Sequence, residues 1–279
     1  MNQLQFLAAL EIGLIYALVA MAVFITFRII DFPDLTVDGS FTLGAAMSAA
    51  LIAAGYDPWI ATSAAIITGA IAGATTGYLH VKWDILGLLA GILMMTALYS
   101  INLRIMQKPN IAIMDNETIF NIGPVITVTF VIAIILILLL TGFFLTEFGL
   151  AIRAVGINPK VSKTYGINVG IMKIITLALS NSIVAFAGSL FTQSQGFADI
   201  SMGSGTVIVG LASVIIGETM LRPQKILIGL VTCIFGSIAY RIAIALALNA
   251  NSIGLEASDL NLITAALVAI TMRLHRLKP

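Results

Sequence analysis

The chain alternates long apolar runs with short polar interruptions, and the lengths of those runs predict a bundle of membrane-crossing helices. Phe6 to Ile30 is the first run, with Glu11 near its start and Arg28 near its end, where a long basic side chain can reach the interface. Pro33 and Gly39 then predict a helix break, crowded by Asp31, Asp34 and Asp38, before the Ala-rich run Phe41 to Ala54. Three carboxylates beside an apolar run are expected to face away from lipid. Trp59 to Leu79 is a third run, in which Gly69, Gly73 and Gly77 recur every fourth residue and form a small-residue stripe for close helix packing. His80, Lys82 and Asp84 mark a polar turn, Ile85 to Leu103 a fourth run, Arg104 to Asn121 a polar loop and Ile122 to Thr146 a fifth run.

After the polar stretch Glu147 to Lys173 comes a sixth run, Ile174 to Phe191, which carries Ser180, Asn181 and Ser182 in its interior. A second break, QSQGFADISMGSG, leads into the short run Thr206 to Gly217, and a turn with Arg222 and Pro223 precedes the eighth run, Ile226 to Leu248. A polar loop, Asn249 to Asn261, and a short ninth run, Leu262 to Met272, lead to a basic tail. The expected fold is all-α: one polytopic transmembrane domain over residues 1–279, with about nine membrane segments, some broken or short.

Composition agrees with this pattern. Hydrophobic residues make up 59% of the 279 and charged ones 10%, where a soluble domain has roughly a quarter. A net charge of +1 and the absence of a basic face argue against a nucleic-acid partner and leave the lipid bilayer as the medium. The single cysteine, Cys233, lies in an apolar run and reads as a core residue; no metal-ligand spacing accompanies it. The N-terminal run lacks a basic lead-in and a distinct cleavage site, which predicts a retained helix. Arg153, Lys160, Lys163, Arg222, Lys225, Arg273, Arg276 and Lys278 are expected on the cytoplasmic side, which puts the N-terminus outside and the C-terminus inside. Arg104 and Lys108 then fall outside, against the trend.

The two breaks resemble one another. Phe32, Asp34 and Leu35 match Phe197, Asp199 and Ile200 at one spacing of 165 residues, and Pro58 matches Pro223 at the same spacing. Two units, about residues 6–80 and 171–248, would thus share the order span, break, short run, proline turn, long span. They begin an odd number of spans apart, so they would cross in opposite directions, as an inverted repeat does. Broken segments in such folds line a path or stay buried in protein. The candidate pathway residues are therefore Asp34, Thr36, Asp38, Ser40, Ser201 and Ser204 at the breaks, with Ser180, Asn181, Gln193 and Gln195 on the span that leads into the second. Two plainer roles stay open: Asp34 and Asp38 would also serve as caps for a helix beginning near Gly39, and Asn181 with its serines as interhelical hydrogen-bonders.

The polar stretch Glu147 to Lys173 has fold signals of its own. Asn158 before Pro159 is an N-cap and first-turn pair, Lys160 to Tyr165 can form a short helix, and Gly166 supplies a left-handed stop. Val161 and Tyr165 stand one turn apart on one face, and Arg153 can meet a carboxylate or a lipid phosphate.

With this stretch in view, the chain resembles the permease subunits of bacterial ABC importers, in the branched-chain amino acid and ribose-type branch. Those permeases carry G-x-A-I-R-A-V-G-x-N-P-x-x-A-x-x-x-G-I, matched here by Gly149, Ala151, Ile152, Arg153, Ala154, Val155, Gly156, Asn158, Pro159, Gly166 and Ile167. The likeness extends more loosely over the whole chain, in particular to permeases labelled for tryptophan or tyrosine transport. Lys160 departs from a frequently acidic position, and Ser162 and Lys163 from alanines. The resemblance implies that residues 147–170 form a cytoplasmic coupling segment, received by a separate ATPase subunit that binds ATP and Mg. It also implies a second permease subunit, commonly an identical one, an extracytoplasmic substrate-binding protein, and the bacterial inner membrane. It favours an amino acid, aromatic or branched-chain, over a sugar or nucleoside. The sequence has no G-x-x-x-x-G-K-[ST] phosphate loop, so no enzymatic ATP hydrolysis is expected of this chain alone and no cofactor is expected in it. An ion-coupled secondary transporter would also suit an inverted repeat with buried aspartates; a scaffold without transport would not need the polar breaks.

Overall fold

A computed structural model describes residues 3–114, 116–221, 223 and 225–248. Ten helices follow one another: α1 (Gln3–Phe24), α2 (Thr36–Ala53), α3 (Pro58–Lys82), α4 (Gly87–Met106), α5 (Val125–Leu145), α6 (Glu147–Ile157), α7 (Pro159–Thr164), α8 (Val169–Gln195), α9 (Thr206–Met220) and α10 (Ile226–Leu248). A π-helical turn, Ile25–Ile29, continues α1, and a 3-10 turn, Ile119–Ile122, precedes α5. Two three-residue strands, β1 (Asn110–Ala112) and β2 (Phe197–Asp199), pair antiparallel with Ile111 opposite Ala198. Among the described residues seven helices are long and apolar enough to cross a membrane, and α9 is a shorter apolar one. The expected ninth run, the loop before it and the basic tail lie outside the described residues, as do Asp115 and Arg222.

Several boundaries differ from the sequence reading. The first break is confined to residues 30–35, because α2 starts at Thr36 and Gly39 lies inside it. Gly39 is there for packing: a Cβ would press on Leu98 and Met95 of α4. His80 and Lys82 belong to the last turn of α3, so the polar turn is shorter than expected, and α4 runs on through Arg104. Of the three aspartates at the break, Asp34 is fully buried, whereas Asp31 is exposed and takes a left-handed backbone (φ 50°).

α1 is the axis of the bundle. Gly13 to Thr26 is buried without interruption, as befits a helix apolar on every side. The glycines of α3 fit the stripe expected of them: a Cβ at Gly69, Gly73 or Gly77 would overlap Ala185 and Asn181, Leu177, and Ile174 of α8 in turn. Those pairs fall in opposite chain order, so α3 and α8 run antiparallel. Gly44 meets Ala185 while Ser40 and Ser48 meet Asn181 and Gln193, so α2 runs parallel to α8. Gly13 meets Ile238 and Gly229 meets Phe24, so α1 and α10 are antiparallel; Gly217 meets Thr232 and Gly236 meets Ser213, so α9 and α10 are too. Ser180 bonds Ala22 and Tyr16 meets Phe191 edge-to-face, so α1 opposes α8. It follows that α1, α3 and α9 run one way and α8, α10 and α2 the other. Each helix of the first unit therefore opposes its counterpart 165 residues on.

At Gly44, Gly73, Gly217 and Gly236 the close approach is to a backbone carbonyl and leaves no room for a side chain. Gly73→Leu should cost about 1–3 kcal/mol through overpacking and lower the melting temperature of the detergent-solubilised chain. Gly142→Ala, where no atom of the described residues outside its own stretch of helix lies within 4 Å of the added Cβ, should melt no lower than wild type.

Candidate functional site

Three capped helix starts build the segment between α5 and α8. The Thr146 hydroxyl accepts from the Gly149 N–H at 3.2 Å and starts α6. The Asn158 side chain accepts from Lys160 and Val161 N–H, each at 3.1 Å, and with Pro159 in the first turn starts α7. Asn168 accepts from Ile171 N–H at 3.1 Å and starts α8. Gly166 takes the left-handed conformation (φ 81°) that ends the short helix. Val161 on α7 and Tyr165, the residue that caps its C-terminal end, are exposed, Tyr165 to 82%, and nothing in the described chain covers them. Arg153 and Ala154 lie on α6 between its two motif glycines.

Those glycines seat α6 on the bundle. A Cβ at Gly149 would strike the backbone of Phe143 and Phe144 at the α5–α6 corner, and one at Gly156 would strike the carbonyl oxygen of Ile29 in the π-helical turn. The same turn carries Arg28, whose guanidinium forms a paired ion bridge to the Glu218 carboxylate near the end of α9. α6 thus rests on the stalk of the first break, and that stalk is tied to α9. Close by, Lys173 of α8 lies 3.1 Å from His80 Nε2 of α3 while His80 Nδ1 donates to the Ile85 carbonyl at 2.8 Å.

The break residues divide into two kinds. Asp34 accepts from its neighbour Thr36 N–H at 2.9 Å and from Asn181 Nδ2 at 2.7 Å, and Asn181 Oδ1 accepts from Ser40 at 2.7 Å. Thr36 bonds Thr76 at 2.8 Å, and Ser180 donates to the Ala22 carbonyl at 3.0 Å. Gln193 accepts from Ile119 N–H at 3.0 Å and donates towards Ser48, Thr62 and Ser189 within 3.2 Å. All of these groups are buried between helices, where they join α2, α3 and α8 to each other and α8 to α1. At the second break Asp199 repeats the Asp34 turn: its carboxylate accepts from Ser201 N–H at 2.8 Å and Ser201 Oγ at 2.5 Å. The Ser201 hydroxyl holds the Asp199 carboxyl below its ordinary range, against an opposing push from burial. Thr36 and Ser201 stand at the same spacing as the two aspartates, so the repeat extends to the hydrogen bond. Gln195, at the end of α8, reaches only Ser194 among the described residues, at 3.5 Å.

Asp38 behaves differently from the cap expected of it. It lies within the first turn of α2, yet its two oxygens accept from Val207 N–H at 2.7 Å and Gly205 N–H at 2.9 Å, so it caps α9 across the break. Thr42, one turn on, accepts from Gly203 N–H at 3.1 Å. Two helices that run in opposite directions thereby begin at one carboxylate, and both positive dipole ends point at it.

Beside this junction is a cavity of about 260 Å³ lined by Asp38, Thr42, Thr96, Tyr99, Asn102 and Ser204, among others. Sequence reasoning included Asp38 and Ser204 but missed Thr42 and the three residues from α4. Asn102 carried a usable signal, an amide inside an apolar run, the same signal that drew attention to Asn181. The Arg28–Glu218 pair and Arg241, which lies over the Tyr16 ring at 4.1 Å, were also missed, because partners so distant in sequence leave no local pattern.

Residues 5–272 match the family model described as branched-chain amino acid transport system / permease component. The chain is 42% identical over 258 residues to a tyrosine transport system permease protein of Clostridioides difficile, covering 92% of this chain and 86% of that one. It is 27% identical over 200 residues to the ribose import permease protein RbsC of Escherichia coli, covering 69% of this chain and 62% of that one. A chain of the solved structure of PsaBC from Streptococcus pneumoniae in complex with Fab is similar in fold, with a TM-score of 0.53 at 17% identity over 95% of this chain and 90% of that one.

The junction at Asp38 generates a local prediction. Asp38→Ala leaves the Gly205 and Val207 amides without their acceptor, a loss of about 1–3 kcal/mol. Hydrogen–deuterium exchange should accelerate over residues 203–209 and stay unchanged over residues 58–68 of α3.

Proposed function

The chain belongs to the branched-chain amino acid transport system / permease component family, and from that premise we propose that it is the membrane-embedded subunit of an importer for an amino acid, aromatic in the first instance. The observation that carries the substrate class is the 42% identity, over most of both chains, to a permease named for tyrosine transport. The likeness to the ribose permease is lower and covers less of either chain, so a sugar is the second choice.

Energy enters from a partner at α7. A short helix with a proline start, a side-chain cap on two N–H groups and a glycine stop holds its shape under load. Its exposed Val161 and Tyr165 offer an apolar face to a groove on an ATPase subunit, which binds ATP and Mg. Closure of two such ATPases displaces α7 and α6 in each of two permease subunits, commonly two copies of this chain. Gly156 presses on the Ile29 carbonyl, and the Arg28–Glu218 bridge carries the displacement into α9. Both breaks move together, and the bundle rocks between openings on either side. In this reading α7 faces the cytoplasm of a bacterial cell and β1–β2 the outside, where a substrate-binding protein delivers the solute. Asp38 and the cavity beside it lie on the path; Asp34, Thr36, Ser180, Asn181 and Gln193 hold the helices that frame it.

Affinity purification tests the partner. The wild-type chain should bring down an ATPase subunit, and Asn158→Ala with Pro159→Ala should weaken that capture about tenfold or more and abolish uptake. Capture and uptake unchanged in the double variant would remove α7 from the mechanism. Uptake that collapses with a proton uncoupler while ATP is held constant would favour an ion-coupled carrier.

A further inference from the structure

Asn102 is 1% exposed, and its side chain is half used. Nδ2 donates to the Gly39 carbonyl at 3.2 Å, which fixes the sense of the amide; among the described residues Oδ1 has no hydrogen-bond partner. A buried acceptor left without a donor costs about 1–3 kcal/mol. The two buried amides of α8 are each engaged on both of their ends: Asn181 between Ser40 and Asp34, Gln193 between Ile119 and the hydroxyls around it. Asn102 lines the cavity of about 260 Å³, close to the lower end, about 300 Å³, of small-ligand pockets.

The other polar groups of the cavity set the sign of what would complete it. Asp38 is its carboxylate, and although each oxygen accepts one backbone N–H, a carboxylate oxygen has a second lone pair. Thr96 spends its hydroxyl proton on the carbonyls of Ile92 and Leu93, which leaves its oxygen as an acceptor. No cationic side chain is among the lining residues, whose side-chain hydroxyl donors include those of Tyr99 and Ser204. Tyr99, 54% exposed, stands where the cavity opens. Acceptors converge, one of them orphaned and one charged, and a ligand that brings several N–H donors and a positive charge completes the set.

We propose that the cavity between α2, α4 and the start of α9 seats the ammonium group of the transported solute, with Asn102 Oδ1 and the Asp38 carboxylate accepting its N–H groups and Tyr99 closing the opening. This rests on the amino-acid reading above and sharpens it. An ammonium is the group that amino acids carry and simple sugars lack, so the selectivity lies partly in this chain as well as in a binding protein.

The test uses the full chain in nanodiscs with its ATPase and measures displacement of labelled L-tyrosine. Three unlabelled probes are compared: tyramine, which keeps the ammonium and lacks the carboxylate; 3-(4-hydroxyphenyl)propionate, which keeps the carboxylate and lacks the ammonium; and ribose. Tyramine should displace the label at least about tenfold more effectively than the propionate, and Asn102→Leu should weaken tyramine by about tenfold, one charge-assisted hydrogen bond. Asn102→Asp, which adds charge at the same place, should bind tyramine more tightly than wild type, and it decides the matter if the leucine variant does not fold. Propionate that competes as well as tyramine, or tyramine binding unchanged in both variants, overturns the ammonium seat while tyrosine binding still stands. A wild-type chain that binds ribose and neither phenolic probe, or none of the probes, overturns the amino-acid reading and the seat together.

Discussion

The structure depends on one carboxylate. Asp38 sits at the start of α2 and accepts the first free N–H groups of α9, so the two short helices, which run in opposite directions, begin at a shared point. At 1.5 Å per residue the fifteen residues of α9 span about 22 Å, short of the roughly 30 Å of a hydrocarbon core. Its other end lies beside Arg28 at the α6 side of the bundle, so its beginning is inside the membrane, where unsatisfied N–H groups are expensive. A side chain from the opposing repeat satisfies them. The bend before α9 can exist at that depth only because α2 provides the acceptor.

In the proposed mechanism, force and solute are handled at different depths. The glycines of α6 have no side chain because the helix lies directly on backbone, and backbone contact leaves little slack between a displaced α6 and the π-helical turn beneath it. The amide and hydroxyl networks around Asn181 and Gln193 do the opposite job: they fix α8 against its neighbours, which gives the moving parts a frame. Small residues and buried amides supply this where apolar contact with lipid cannot discriminate one helix face from another.

Much of this was legible in the sequence. Run lengths gave the helices, the glycine spacing on α3 gave a packing face, and Asn158, Pro159 and Gly166 gave α7 with its start and stop, because each is a local signal. The spacing between the two breaks was legible for the same reason, and Asp34 and Asp199 form the same turn. What was not legible required the third dimension. Asp38 looked like a cap for its own helix because an aspartate in a first turn usually is one, and nothing near it in sequence names α9. Gly39 looked like a breaker because a glycine soon after Pro33 and among aspartates reads as one, whereas its role is to admit Leu98. Asn102 was the avoidable omission: its position in an apolar run was as informative as that of Asn181.

The tie between Asp38 and α9 also has a consequence for how the chain is made. Its two halves are separated by 167 and 169 residues. At about 5–20 residues per second, ribosomal synthesis needs on the order of 10–30 s between the emergence of one and of the other. Throughout that interval α2 carries a carboxylate without its final partners, at a cost on the insertion scale of about 2.5–3.5 kcal/mol near a bilayer centre. The first helices must therefore wait in a sheltered or protonated condition, and the arrival of the second broken segment is the event that lets them settle.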